Sequence, residues 1–210
     1  MGYASIFKKA VMAITGLGWF GFVIGHLAGN LLIYQGPEDF NAYAAFLEGT
    51  GKLLYLAEAG LIVLLLGHVW MATKVTFENR KARQGAYAVN QTNGQASVAS
   101  RTMAVAGIIL LAFIVTHVNM FKFGDRAGED GLWGLVIRTF QDPLMVTWYV
   151  LAMLALGLHL SHGFGSALQT LGVVRPSLRA KFKTVGYVAG WAIALGFISF
   201  PVYAFIFLNP

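Results

Sequence analysis

Five stretches of this chain are long and apolar enough to cross a lipid bilayer, and each of the first four carries a histidine. They run from about Ala10 to Tyr34, Leu53 to Phe77, Thr102 to Phe121, Pro143 to Leu171 and Val185 to Leu208. A hydrocarbon core of about 30 Å needs about 20 apolar residues per helix. In lipid every backbone polar group must be paired within the protein, and a helix does this by itself. The expected fold is therefore all-α and integral to a membrane, with five transmembrane helices in one domain over residues 1–210. Of the residues, 57% are hydrophobic and 11% are charged, where a soluble domain carries about 25% charged residues. The linkers Gln35–Lys52, Glu78–Arg101, Lys122–Asp142 and Gly172–Thr184 are too short for a second domain, and no internal repeat is visible. Pro201 is expected to bend the fifth helix, because it removes a backbone donor. The N-terminus lacks a short apolar region with a small-residue cleavage site, so the first span is expected to insert uncleaved.

Charge sets the expected orientation. One side collects Lys8, Lys9, Lys74, Arg80, Lys81, Arg83, Arg101, Arg175, Arg179, Lys181 and Lys183. The other holds only Lys52, Lys122, Arg126 and Arg138. Excess Lys and Arg mark the cytoplasmic side, which puts the N-terminus inside and the C-terminus outside. The net charge of +6 follows these flanks, so it speaks for topology and not for nucleic acid. Glu38, Asp39, Glu48, Glu58, Asp125, Glu129, Asp130 and Asp142 lie on the outer side, and only Glu78 on the inner. A basic inner face suits anionic lipid or an acidic soluble partner. In the first outer loop, PEDFNAYAAFLEG (Pro37–Gly49) starts with Pro and acids, as a helix does. Phe40, Tyr43, Ala44 and Leu47 share one face, which predicts a short helix lying on the outer surface.

The histidines fall into two depths. At 1.5 Å per residue, His26 lies about 25 Å from Lys9, and His117 about 24 Å from Arg101, which places both near the outer surface. His68 lies about 24 Å from Lys52, and His159 about 24 Å from Asp142, which places both in the inner half. An imidazole in lipid is costly and marks function by default. Zinc wants three or four ligands at one level, whereas a haem supplies four nitrogens and needs two axial ligands. Two histidines at each level therefore predict two haems, in a bundle where helices I to IV surround one core. The absence of cysteine excludes thiolate ligation, Cys-bound iron–sulfur clusters and covalent haem attachment. Two axial histidines leave no open position for oxygen, so such haems carry electrons. Gly18, Gly21, Gly25, Gly29, Gly67, Gly157 and Gly163 flank these histidines. They suit either the approach of a flat macrocycle or close helix packing. His162 lies at i+3 from His159 and faces nearly the same way. It is an alternative ligand, a partner for a propionate or a neighbour of a quinone; His159 matches the depth of His68 better.

The chain resembles a known family along nearly its whole length. The resemblance runs through KKAVMAITGLGWFGFVIGHLAGNLLIY, LGHVWMATK, SRTMAVAGIILLAFIVTHVNMFKFGD and LHLSHGFGSALQTLG, with one histidine in each of the first four helices. It is similar to the membrane cytochrome b subunit of succinate:quinone oxidoreductases (complex II), the five-helix, dihaem b558 type. The resemblance implies two b haems, a distal one held by His26 with His117 and a proximal one held by His68 with His159. It implies a flavoprotein and an iron–sulfur protein on the cytoplasmic face of a bacterial inner membrane, and a quinone, with menaquinone suggested by the dihaem type. Arg101, Lys122 and Lys74 are expected to pair with propionates, Lys74 being as well explained by snorkelling. Glu48, Glu58 and Asn30 are the candidate quinone residues. Some family members carry a glutamate two residues before the helix IV ligand, proposed to conduct protons; this chain has Gly157 there, which argues against that route.

Two other readings stay open on the sequence. A dihaem cytochrome b of a hydrogenase or formate dehydrogenase would share the ligands and differ in the partners it docks. A transporter relaying protons through its histidines would show no haem spectrum, and would be expected to carry broken helices and an inverted repeat.

Overall fold

A computed structural model describes residues 2–81, 98–126 and 130–208, with side chains at 6–78, 81, 102–126 and 130–208. Arg83 and Glu129 lie outside the described residues, as do the side chains of Arg80 and Arg101. The described chain is helical almost throughout. Helix α1 spans Gly2–Asn30 and continues as a 3-10 turn over Leu31–Gln35. Short α2 spans Pro37–Gly49, α3 Lys52–Lys81 and α4 Val98–Phe121. Short α5 spans Gly131–Phe140, α6 Pro143–Thr170 and α7 Arg179–Phe207. Five of these (α1, α3, α4, α6 and α7) are long and apolar enough to cross a membrane. Helix α7 runs through Pro201, which is almost wholly buried.

The local chemistry explains the ends. Asp142 caps α6 by accepting from the Leu144 amide at 2.9 Å, and Pro143 follows at the first turn. Gln141 covers the other end of α7, donating to the carbonyls of Ala204 (3.1 Å) and Leu208 (2.7 Å). Gly36, with φ of 104°, makes the turn into α2.

The helix expected over Pro37–Gly49 is present with those bounds, and its apolar face turns inward at Phe40, Tyr43, Ala44 and Leu47. The stretch Lys122–Asp142, read from sequence as a linker, contains α5. Its ten residues cannot cross a bilayer, which is why a search for spans passes over it. Yet Trp133, Val136, Ile137 and Phe140 recur at helical spacing, and the last three are buried. Asn41 joins α2 to α5: its amide donates to the Asp130 carbonyl (2.8 Å), and its oxygen accepts from the Trp133 amide (2.9 Å).

The two short helices and the end of α7 close one end of the bundle. There Ile33, Phe40, Val136, Ile137, Phe140, Tyr149, Phe200 and Ala204 form one buried core. This end carries Glu48, Glu58, Asp130 and Asp142 and is called the acidic end below. The opposite, basic end carries Lys8, Lys9, Lys74 and Arg175 to Lys183. Along the bundle α1 packs closely on α3 and α6, and α6 on α4 and α7. Going round α1, α3, α4 and α6, the pairs α1–α4 and α3–α6 lie on the diagonals and are not among the closely packed pairs. The α3–α4 edge is also open, bridged at the acidic end by the Lys122–Glu58 ion pair. Leu56, Val63, Leu66 and Trp70 of α3 are largely exposed, as a lipid-facing helix requires.

The tightest contact is between α6 and α7. A Cβ at Gly190 would stand 2.7 Å from the Ser161 backbone nitrogen, which cannot yield unless the helices part. Gly190→Ala is expected to cost about 1–3 kcal/mol, the usual range for overpacking. Gly60→Ala, whose Cβ would meet nothing within 4 Å, is expected to be neutral or stabilising. Thermal unfolding of both variants in detergent checks the contrast.

Candidate functional site

The four histidines meet across the diagonals, at two levels. Near the acidic end, His26 of α1 faces His117 of α4, with ring centroids 5.7 Å apart and planes at 86°. Toward the basic end, His68 of α3 faces His159 of α6, with centroids 6.2 Å apart and planes at 68°. His68 lies beside Met12, Thr15 and Gly16 of α1. Ten residues separate Gly16 from His26 on that helix, so the two levels are about 15 Å apart. No group of three or more His, Cys, Asp or Glu gathers into a metal site among the described residues. Among the described residues each level brings together two imidazoles.

Three of the rings have a protein partner for one nitrogen. His68 Nδ1 lies 3.0 Å from the Met12 carbonyl, with Thr15 Oγ1 at 3.4 Å. A carbonyl can only accept, so Nδ1 carries the proton and Nε2 keeps a free lone pair. His117 Nδ1 lies 3.2 Å from the Tyr149 hydroxyl. Asn30 is held beside His26: its amide donates to the His26 carbonyl at 2.8 Å and stands 3.5 Å from both ring nitrogens. The fourth ring differs. The Nδ1 of His159 is buried with no hydrogen-bond partner. An unmet buried polar atom costs about 1–3 kcal/mol.

This arrangement fits an axially ligated haem. Two imidazoles bonded to opposite sides of one metal at about 2.0–2.1 Å set their centroids about 6 Å apart. The His68–His159 pair has that spacing and the His26–His117 pair is somewhat closer, both on helices that are not close neighbours. The unpartnered Nδ1 of His159 is a nitrogen whose lone pair a metal would satisfy. The glycines divide between the two roles proposed for them. A Cβ at Gly21, Gly25 or Gly163 would meet nothing within 4 Å, so the space beside those positions is open. Gly18 and Gly29 serve packing, because a Cβ there would stand 2.9 Å from Leu64 and 2.5 Å from the Tyr43 ring. Gly157 faces α7, where Trp191 and Ala194 stand 3.0 and 3.1 Å from its would-be Cβ. A glutamate has no room there.

The other candidates are scattered. His162 is half-buried near Lys183, and it is His159 that reaches His68. Glu58 pairs with Lys122, whose ammonium also sits 5.7 Å from the Tyr55 ring. Lys74 lies over Trp70 at 4.8 Å, as a snorkelling lysine does. Glu48 pairs with Arg126. Both line an open cavity of about 330 Å³ with Asn41, Ala44, Ala45, Gly131 and Leu132. Arg101 belongs to α4, and its side chain lies outside what is described. Sequence reasoning did not find Met12, Thr15 or Tyr149. Backbone carbonyls leave no mark in a sequence; a tyrosine hydroxyl inside an apolar span does, and Tyr149 could have been found by it.

No family model matches the chain, and no solved structure matches it. Among curated proteins it is similar to the succinate dehydrogenase cytochrome b558 subunit of Bacillus subtilis (strain 168), with 27% identity over 153 residues, 72% of each chain. That likeness supports the resemblance carried by the helix motifs.

Gly16 offers a test of how His68 is held. A Cβ there would stand 3.0 Å from His68 Cε1 and 3.3 Å from Nδ1. Gly16→Ala is expected to push the ring off the Met12 carbonyl. Loss of such an outer contact weakens metal retention by about 10–100-fold. Haem retention during dilution in detergent reads this out, and the His26–His117 level is expected to be unaffected.

Proposed function

We propose that this chain is the dihaem membrane cytochrome b subunit of a succinate:quinone oxidoreductase, conducting electrons between an iron–sulfur partner and membrane quinone. The observation that carries the reading is the meeting of four histidines as two diagonal pairs, at two levels of one bundle. His26 and His117 would hold one b haem, and His68 and His159 the other. When bound, such groups would supply one-electron transfer. The chain does the holding. The Met12 carbonyl fixes the tautomer of His68 and leaves Nε2 to ligate. Tyr149 does the corresponding work at His117, and Asn30 keeps its amide beside His26.

The basic end would lie in the cytoplasm, as the excess of Lys and Arg directs. Lys8, Lys9, Lys74, Arg175, Arg179, Lys181 and Lys183 make it a surface for the iron–sulfur and flavoprotein subunits. This topology belongs to the inner membrane of a bacterium. Arg101 and Lys122 remain the cations proposed for propionates. Among the quinone candidates, Glu48 is favoured because it borders the open cavity with Arg126. Glu58, paired with Lys122, and Asn30, held at the His26 carbonyl, do not line that cavity. The proposed quinone is menaquinone.

The test is a reduced-minus-oxidised optical spectrum of the protein purified from membranes, with pyridine-haem quantification. Two b haems per chain are expected. His26→Ala and His68→Ala should each remove a different one, and His162→Ala should remove neither. Absence of haem would overturn the reading and favour a proton-relaying transporter. Co-purification with hydrogenase or formate dehydrogenase subunits would keep the haems and overturn the partners.

A further inference from the structure

We propose that Tyr149 is a positioning residue for His117, and that its hydroxyl makes the two levels electronically unequal. The inference rests on the dihaem reading and deepens it. Tyr149 belongs to α6, while His117 belongs to α4 and its ring partner His26 to α1. The tyrosine ring has little freedom, being only 6% exposed. Phe113 and Phe140 meet it edge-on with centroids 4.9 Å away, and Phe121 stands 6.1 Å away. Those neighbours are apolar. They fix where the hydroxyl points and offer it no hydrogen bond of their own. It points at His117 Nδ1, 3.2 Å away.

The direction of this bond follows from the ligand's chemistry. A neutral imidazole that gives its Nε2 lone pair to a metal keeps its proton on Nδ1. Nδ1–H therefore donates, and the tyrosine oxygen accepts. At the other level His68 Nδ1–H donates to a peptide carbonyl, that of Met12, at 3.0 Å. A phenol oxygen is a weaker acceptor than a peptide carbonyl. The stronger the acceptor, the more electron-rich the imidazole, and the more the ferric state is favoured. One level is thus tuned by the backbone, which no substitution alters chemically. The other is tuned by a side chain, which a single substitution can switch off.

Tyr149→Phe keeps the ring and removes only the acceptor. In the haem-loaded protein purified from membranes, a redox titration followed optically should resolve two midpoints. The component missing from His26→Ala identifies the His26–His117 level. In Tyr149→Phe the midpoint of that component is expected to rise by up to about 59 mV for one electron, a loss of up to about tenfold in ferric-over-ferrous preference. The other midpoint should stay put, and two haems per chain should remain. Phe140→Leu is the packing control, since Phe140 touches Tyr149 and has no hydroxyl. Midpoints unmoved in Tyr149→Phe, or moved equally by Phe140→Leu, would overturn the proposal. Should Tyr149→Phe fail to accumulate, hyperfine spectroscopy of wild-type protein in heavy water serves instead. A slowly exchanging proton on the His117 ligand supports the bond, and immediate exchange overturns it. Wild-type protein without haem would overturn the parent reading, and that outcome is visible before any variant is made.

Discussion

An imidazole buried in a membrane has two nitrogens to satisfy and no water to satisfy them. The four interior histidines answer this in halves. His68 gives one nitrogen to the Met12 carbonyl and His117 gives one to Tyr149, while His159 keeps a buried nitrogen with no partner at all. Each of these rings has a second ring about 6 Å away on the helix across the diagonal. A metal between two such rings would satisfy both at once, and that is what the proposed haem sites ask of helices placed across the diagonals. Neighbouring helices would bring their histidines too close and leave no room for a flat ligand. Helices across a diagonal leave that room without losing the bundle.

The rest of the fold keeps those diagonals open. Where α6 meets α7, glycine at 190 lets the backbones touch, so α6 is braced from behind while its front faces α1 and α4. At the acidic end α2 and α5 cap the bundle with a buried aromatic core. Asn41 ties the two short helices together and Gln141 ties the cap to α7. This cap surrounds Tyr149, and through it reaches His117. Packing at one end is therefore coupled to the ligand geometry of one level. At the other level His68 rests on Met12, Thr15 and Gly16 of α1, while His159 lies against Gly107 of α4.

Much of this was legible in the sequence, for identifiable reasons. Hydropathy over 20 residues is a strong signal, so the five spans stand where they were expected. The pairing of His26 with His117 and of His68 with His159 followed from counting rise per residue, because long helices in a bilayer are close to rulers. The amphipathic pattern at Phe40, Tyr43, Ala44 and Leu47 announced α2. Helix α5 carries no spanning signal, because ten residues cannot cross a bilayer; its mark in the sequence is the helical spacing of Trp133, Val136, Ile137 and Phe140. The partners of the ligands were not legible. Met12 lies 56 positions from His68 and Tyr149 32 positions from His117, and only the folded bundle brings them together. The glycines looked alike in sequence and divide in the structure, Gly157 being filled from α7 and Gly25 facing open space.

The central claim is that each level holds one metal between two neutral imidazoles. Low-temperature electron paramagnetic resonance of the oxidised protein tests it most directly. The account predicts two distinct low-spin ferric haem signals, together integrating to two spins per chain, with no high-spin component. A high-spin signal, a single low-spin species or a spectrum without ferric haem would contradict it.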